Sequence, residues 1–336
     1  MANTIDWGKA TQNNTNGFGK YQNTISAASI YADSYAGETA LVGTSAAFSY
    51  SKSSYHQDEA DPTPTITGTT GGSFNGSAGL VFADTGTHNS TTGQIDLSAS
   101  TIDSHIITYT VDGVQSGQTV GVTASPFLAN TYSMEFDGVN DYVESNFNAD
   151  GYSSLSISGW IKATNPQADY NLIISNHYKN NTSPYYQFAC MIDNNGKLLW
   201  RIGNTSPNYY IATSTTTIRD NSWHHFVGTY GNGNLKIYID GTLEDTTSAS
   251  GNLFTTGNKT SIGSYIDITS GSEVIGGNFL GKIDEVAFWN TALGETAIQE
   301  IYNATANNTG KALDLSTDYN NYTSSSNLQY WTRLGD

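Results

Sequence analysis

The 336-residue chain has one cysteine, Cys190, so no intrachain disulfide can staple it. Its folds must be held by buried apolar surface instead. Cys190 lies inside the apolar run Tyr186–Ile192 and reads as a small buried hydrophobe. Basic residues are scarce: 13 Lys and Arg stand against 30 Asp and Glu, a net charge of −17. Such a chain is repelled by phosphate backbones and anionic lipid, which removes nucleic acid from the expected partners. No apolar run approaches the ~18 residues of a membrane span, so no membrane insertion is expected. The opening MANTIDWGKATQNN also lacks the apolar segment of a secretory leader. Helical periodicity is nearly missing: over Glu295–Asn303 alone, Ala297, Ile298, Ile301 and Tyr302 share one face, predicting a short helix that caps a sheet.

What is abundant points to strands. Thirty-four Gly, 22 Tyr and many Ser, Thr and Asn between short apolar runs predict an all-β protein. The clearest stretch is SWHHFVGTYGNGNLKIYIDGTLEDTTS, Ser222–Ser248. Trp223–Tyr230 is aromatic and β-branched, and Leu235, Ile237 and Ile239 alternate with polar neighbours. Gly231-Asn232-Gly233 and Asp240-Gly241 tolerate positive φ, so three antiparallel strands with both turns are legible.

Around this meander lie SMEFDGVNDYVE (Ser133–Glu144), LSISGWIKA (Leu155–Ala163) and GKIDEVAFWNTAL (Gly281–Leu293). Together, over 129–306, they resemble a laminin G-like, concanavalin A-like jelly roll. The resemblance implies a sandwich with one short C-terminal helix, in which the WHHF element is core. On that reading Trp223→Ala costs on the order of 3–5 kcal/mol, and His224 and His225 serve packing or a buried hydrogen bond.

Upstream, Pro62 and Pro64 mark a boundary. Beyond it PTITGTTGGSF, GQIDLSAS and HIITYTVDGV alternate with period two and resemble the immunoglobulin-like repeats of large bacterial surface proteins, over 61–128, with an enlarged loop at Phe82–Asn89. A module this small implies a spacer, and its His88 and His105 have no neighbours at metal-ligand spacing. Residues 1–60 show no sandwich pattern, but NTIDWGK (Asn3–Lys9) recurs as NTNGFGK (Asn14–Lys20). This opening resembles N-terminal segments of structural proteins of tailed bacteriophages. It implies an irregular arm for particle attachment or homo-trimerisation, with Trp7 and Phe18 as anchors. Residues 307–336 read as a linker or docking tail whose ending, NLQYWTRLGD, resembles the first line of a further laminin G-like repeat; Trp331 and Leu334 would dock it on a neighbour.

Catalysis finds little support. Glucanases share the jelly roll, and those resembling laminarinases carry E-x-D-x-x-E, which is absent here. Asp284-Glu285 is the nearest carboxylate pair on a strand, and adjacent strand residues point to opposite faces. No G-x-S-x-G, H-E-x-x-H or phosphate loop occurs. No cofactor is required. The ion for which donors exist is calcium, with Asp137, Asn140 and Asp141 on one turn and Asp284 as a distant contributor; three oxygens are half of the 6–8 that it takes. Glycans need a flat aromatic face beside amides. Tyr178, Tyr185, Tyr209, Tyr210 and Asn208 offer both, and if Tyr209 and Tyr210 lie in a strand, one of them faces outward.

The expected protein is therefore a non-enzymatic virion structural protein of a tailed phage, a head decoration or fibre or a tail-associated fibre. It would sit on the particle exterior, bind capsid or tail proteins through its arm, and display a lectin-like module for glycans. A bacterial cell-surface adhesin or secreted carbohydrate-binding protein is the alternative class.

Overall fold

The computed structural model describes residues 43–164, 170–177, 185–204, 209–268 and 273–336. The protein is almost entirely β, with one α-helix among these residues. The described residues divide into two compact units, 43–125 and 126–336.

In the smaller unit five strands pair in the order Ser54–His56, Val114–Thr123, Asp103–Val111, Ser73–Gly76, Asn89–Ser90. Phe48–Ser49 and Thr65–Ile66 form a separate ribbon. Its core holds Phe48, Tyr50, Tyr55, Phe74, Phe82, Ile107 and Tyr109. Residues 46–56 therefore belong to this core and not to an irregular arm, because Phe48, Tyr50 and Tyr55 fill the space over the sheet. The stretch Gly93–Ser100 buries Ile95 and Leu97 as alternation predicts. Of this stretch Ile95 makes an isolated bridge to Phe82; the Asp96 carboxylate accepts from Ser98 and Ala99 and turns the chain there.

In chain order the larger unit carries β1 (Met134–Asp137), β2 (Val143–Ser145), β3 (Leu155–Ala163), β4 (Asn171–Asn176), β5 (Phe188–Ile192), β6 (Lys197–Gly203) and β7 (Tyr209–Thr217). These are followed by β8 (His224–Gly231), β9 (Asn234–Ile239), β10 (Thr242–Ser248), β11 (Thr260–Ile262), β12 (Leu280–Trp289), helix α1 (Glu295–Ala306) and β13 (Leu328–Thr332). One sheet runs β2-β11-β4-β5-β6-β7, the other β10-β9-β8-β3-β12-β13 with β1 also on β12. The turns between β8, β9 and β10 are as read from sequence: Asn232-Gly233 and Asp240-Gly241 all have positive φ, which only such residues accept without strain.

The two sheets enclose one core, with Leu155, Ile157, Phe188, Trp200, Ile202, Phe226, Ile237, Ile283 and Phe288 all buried. Trp200 is its largest member, fully buried, its Nε1–H donated to the Thr229 carbonyl at 3.1 Å. Helix α1 lays Ala297, Ile298, Ile301 and Ala304 on the outer face of the second sheet, against Val227, Tyr238, Ala287 and Trp289.

Three expectations need correction. Trp223 is not core: β8 begins at His224, and the Trp223 side chain is 38% exposed beyond the strand's end. Residues 307–336 are no free tail either. β13 pairs antiparallel with β12, Leu334 enters the main core, and Trp331 packs in the cluster under α1. Finally, Asp284 and Glu285 do not face opposite ways. Ile283 and Val286 both enter the inter-sheet core, so both carboxylates lie on the outer side. A bulge with Glu285 at φ 51° absorbs the extra residue.

Candidate functional site

The outer face of the first sheet carries the alternate residues of the strands whose partners fill the core. On β6, Leu198, Trp200 and Ile202 point inward, so Lys197, Leu199 and Arg201 point outward. On β7, Tyr210 and Ala212 pack against the core, while Tyr209 and Ile211 face out. Leu172, Ala189, Met191, Leu199, Tyr186 and Tyr265 form a separate apolar patch on this face. Over it lies a groove of about 490 Å³ walled by Tyr170, Tyr186, Tyr209 and Tyr265, with Arg201 among them.

Arg201 is the centre of this arrangement. Its guanidinium lies 4.1 Å from the Tyr209 ring centroid, 5.6 Å from that of Tyr185 and 5.8 Å from that of Tyr186. These are cation–π distances. Burial pushes its pKa below the ordinary arginine value, and the surrounding tyrosines oppose that shift. The group keeps its charge regardless. Tyr185 and Tyr209 are nevertheless 42% and 48% exposed, so each offers an open ring surface beside a charged, planar donor.

The sequence pointed to Tyr185 and Tyr209, and the structure brings them together on one guanidinium. It separates Tyr210, which turns toward the core. Tyr178 and Asn208, like Trp7 and Phe18, lie outside the described residues. Arg201 was missed. The alternation in LLWRIG, with a tryptophan placed for the core, would have pointed it outward next to the paired strand's Tyr209.

The calcium donors are less convergent. The Asp137 carboxylate accepts from the Val139 amide at 2.8 Å, and Asp141 accepts from the Asp137 amide at 2.9 Å. The turn thus uses part of its own oxygen set. Asp137 pairs with Leu280, four residues along β12 from Asp284, a separation of about 13 Å at strand rise. Asp284 is not brought to the Asp137 turn. Among the described residues no group of three His, Cys, Asp or Glu side chains has metal-holding geometry.

Two other polar constellations are buried. The Ser158 hydroxyl and His225 Nε2 lie 2.8 Å apart, 2% and 1% exposed, with His225 stacked on Tyr302 of α1. Burial lowers the His225 pKa to about 4, so the imidazole is neutral. Glu285 accepts from Trp331 Nε1 at 2.8 Å and Arg333 Nε at 3.1 Å, while Asp284 accepts from the Glu285 amide at 2.8 Å.

Residues 137–299 match the family model described as the concanavalin A-like lectin/glucanases superfamily. No curated protein matches the chain. Among solved structures, a candidate carbohydrate binding protein from Bacteroides ovatus ATCC 8483 is 14% identical with a TM-score of 0.49, over 85% of this chain and 88% of that one. The Ruminococcus gnavus IT-sialidase CBM40 is 15% identical with a TM-score of 0.43, over 52% of this chain and 97% of that one. The binding domain of Paraclostridial mosquitocidal protein 1 is 16% identical with a TM-score of 0.39, over 53% of this chain; this chain spans 47% of that one. The larger unit thus has a concanavalin A-like jelly-roll fold.

Proposed function

We propose that this jelly roll binds glycans at the Arg201 groove and that the whole chain is a non-enzymatic structural protein of a tailed-phage virion. The observation that carries the glycan reading is the guanidinium 4.1 Å from Tyr209, with Tyr185 beside it. A sugar ring sets its C–H face on an aromatic ring while its hydroxyls accept from fixed N–H donors. Arg201 supplies the donors and the tyrosines supply the faces. A single shallow site of this kind binds weakly, and many copies on one particle turn it into useful avidity.

Support for the virion reading comes from the repeat NTIDWGK/NTNGFGK and the phage-like opening. On this reading residues 1–42 attach to capsid or tail proteins, directly or as a homo-trimer, and the smaller unit is an immunoglobulin-like spacer. The absence of turnover in this reading accords with the sealed Ser158–His225 pair and with the Glu285 carboxylate engaged by Trp331 and Arg333. No cofactor takes part.

Two measurements test it. Glycan-array binding by the full chain should be lost in Arg201→Ala and weakened in Tyr209→Ala; binding unchanged by both would sink the groove assignment. Labelling of intact particles with an antibody to residues 130–305 should decorate heads or tails in a regular pattern. Label on cell surfaces alone would move the protein to the adhesin class.

A further inference from the structure

The outer face of the second sheet holds a different groove, of about 420 Å³, between β3, β12 and the end of α1. Its floor contains a like-charge pair: Lys162 on β3 and Lys282 on β12 are directly opposed in register. Directly opposed residues have Cβ atoms about 5 Å apart, and like charges at such a position are unfavourable. Both side chains are half-buried. Among the described residues neither makes a hydrogen bond or ion pair. The nearest cross-strand acid on the far side of Lys282 is Glu135, which pairs with it in register and is exposed.

Aromatic surface flanks the two amines. Ile161 pairs with His224, so Trp223 lies beside Lys162 at the end of β8. Two residue pairs along from the lysines, Trp160 opposes Asp284 and stacks on Tyr302 at 5.8 Å. Trp160, Trp223, Lys162, Lys282, Asp284 and Lys311 all line the groove. Three of the chain's 13 basic residues thus gather in one place on a protein of net charge −17. Nothing in the packing of the sheet requires two opposed lysines at this position, and an anion between them would remove their repulsion.

We propose that this groove is a second binding site, for an acidic sugar unit of the hexuronate class. The carboxylate would sit between the Lys162 and Lys282 ammonium groups, with the ring on Trp223. The exposed indole, misplaced in a core by the sequence pattern, then has a use: a flat apolar face within reach of a charge pair. The site is on the opposite outer face from the Arg201 groove and stands independently of it.

The test is calorimetric titration of the full chain with a hexuronate tetrasaccharide, the matching neutral hexose tetrasaccharide and inorganic sulfate. The hexuronate should bind, with affinity falling as salt rises, and the neutral sugar should not compete for it. Lys162→Gln and Lys282→Gln should each weaken binding about tenfold or more, Trp223→Ala should weaken it, and Lys282→Arg should retain it. Arg201→Ala should leave it intact. The ligand-free Lys282→Gln protein should melt no lower than the parent, because it loses the repulsion from Lys162 and breaks no hydrogen bond or ion pair of the side chain. Three results would overturn the assignment: hexuronate affinity unchanged by both glutamine variants, loss in Arg201→Ala alone, or sulfate binding as tight as the sugar. The second of these would leave the Arg201 glycan site standing while this one fails. If Lys282→Arg also loses the ligand and melts lower, the lysine is a packing residue and the proposal fails.

Discussion

The backbone of Gly228 lies against the indole of Trp200: a Cβ at 228 would come within 2.7 Å of ring carbons Cγ and Cδ2. The two residues belong to different sheets, so the contact sets how closely the sheets approach. Gly228→Ala should therefore destabilise the larger unit by about 1–3 kcal/mol through overpacking. Denaturant unfolding measures this directly. An unchanged midpoint would mean that the sheets separate without cost.

Two tryptophans on or beside the second sheet should respond oppositely to truncation. Trp289 is fully buried and donates to the Tyr322 hydroxyl at 3.0 Å, so Trp289→Ala should cost about 3–5 kcal/mol. Trp223→Ala should cost less than about 1 kcal/mol, as for an ordinary surface change. Equal losses would return Trp223 to the core.

Stability should depend on pH through buried groups that pull in opposite directions. Burial raises Glu285 from 4.5 to about 7, with Asp284 adding to the effect, and burial raises Asp284 from 3.8 to about 6. The folded state then holds protons that the unfolded chain has released, so these carboxyls cost stability as pH rises from about 4 through 7. His225 acts the other way. Burial lowers it from 6.5 to about 4, so the unfolded chain takes up a proton first and stability falls as pH drops through that window. Glu285→Gln should flatten the loss toward neutral pH, by an amount on the order of 2 kcal/mol. Melting temperatures of parent and variant across this range decide it; parallel curves would show that Glu285 titrates as an ordinary carboxyl.

Cys190 is fully buried and burial raises its thiol pKa well above the ordinary value. A thiol reagent should leave it unmodified in the native protein and react with one equivalent after denaturation. Rapid native labelling would mean that β5 opens readily.

Much of the fold was legible because local chemistry stated it. Asn232-Gly233 and Asp240-Gly241 write their turns in residues that accept positive φ. The Ala297–Ile301 spacing wrote the helix, and adjacency of Tyr209 and Tyr210 implied that they part to opposite faces. What escaped depends on contacts distant in sequence. Trp223 looked like core because it continues an apolar run, but the ladder stops at His224. Asp284 and Glu285 share a side only because a bulge interrupts the alternation, and no residue type announces it. Glu285 is a non-glycine in the left-handed region, held by Trp331 of β13 and by Arg333 just past its end. The lysine pair is invisible in sequence altogether: Lys162 and Lys282 meet only once β3 and β12 are in register.

The strand β13 has a mechanical consequence. The Thr131 amide donates to the Asp336 carboxylate at 3.0 Å, and Arg333 donates to the Ala129 carbonyl. The larger unit is thus clasped where its chain enters and leaves. Tension applied between residues 126 and 336 would run across this clasp and the β12–β13 ladder, bypassing the sandwich behind them. Both grooves could then keep their shape under pull until the clasp gives way, hanging from the line of force like a pendant from a chain.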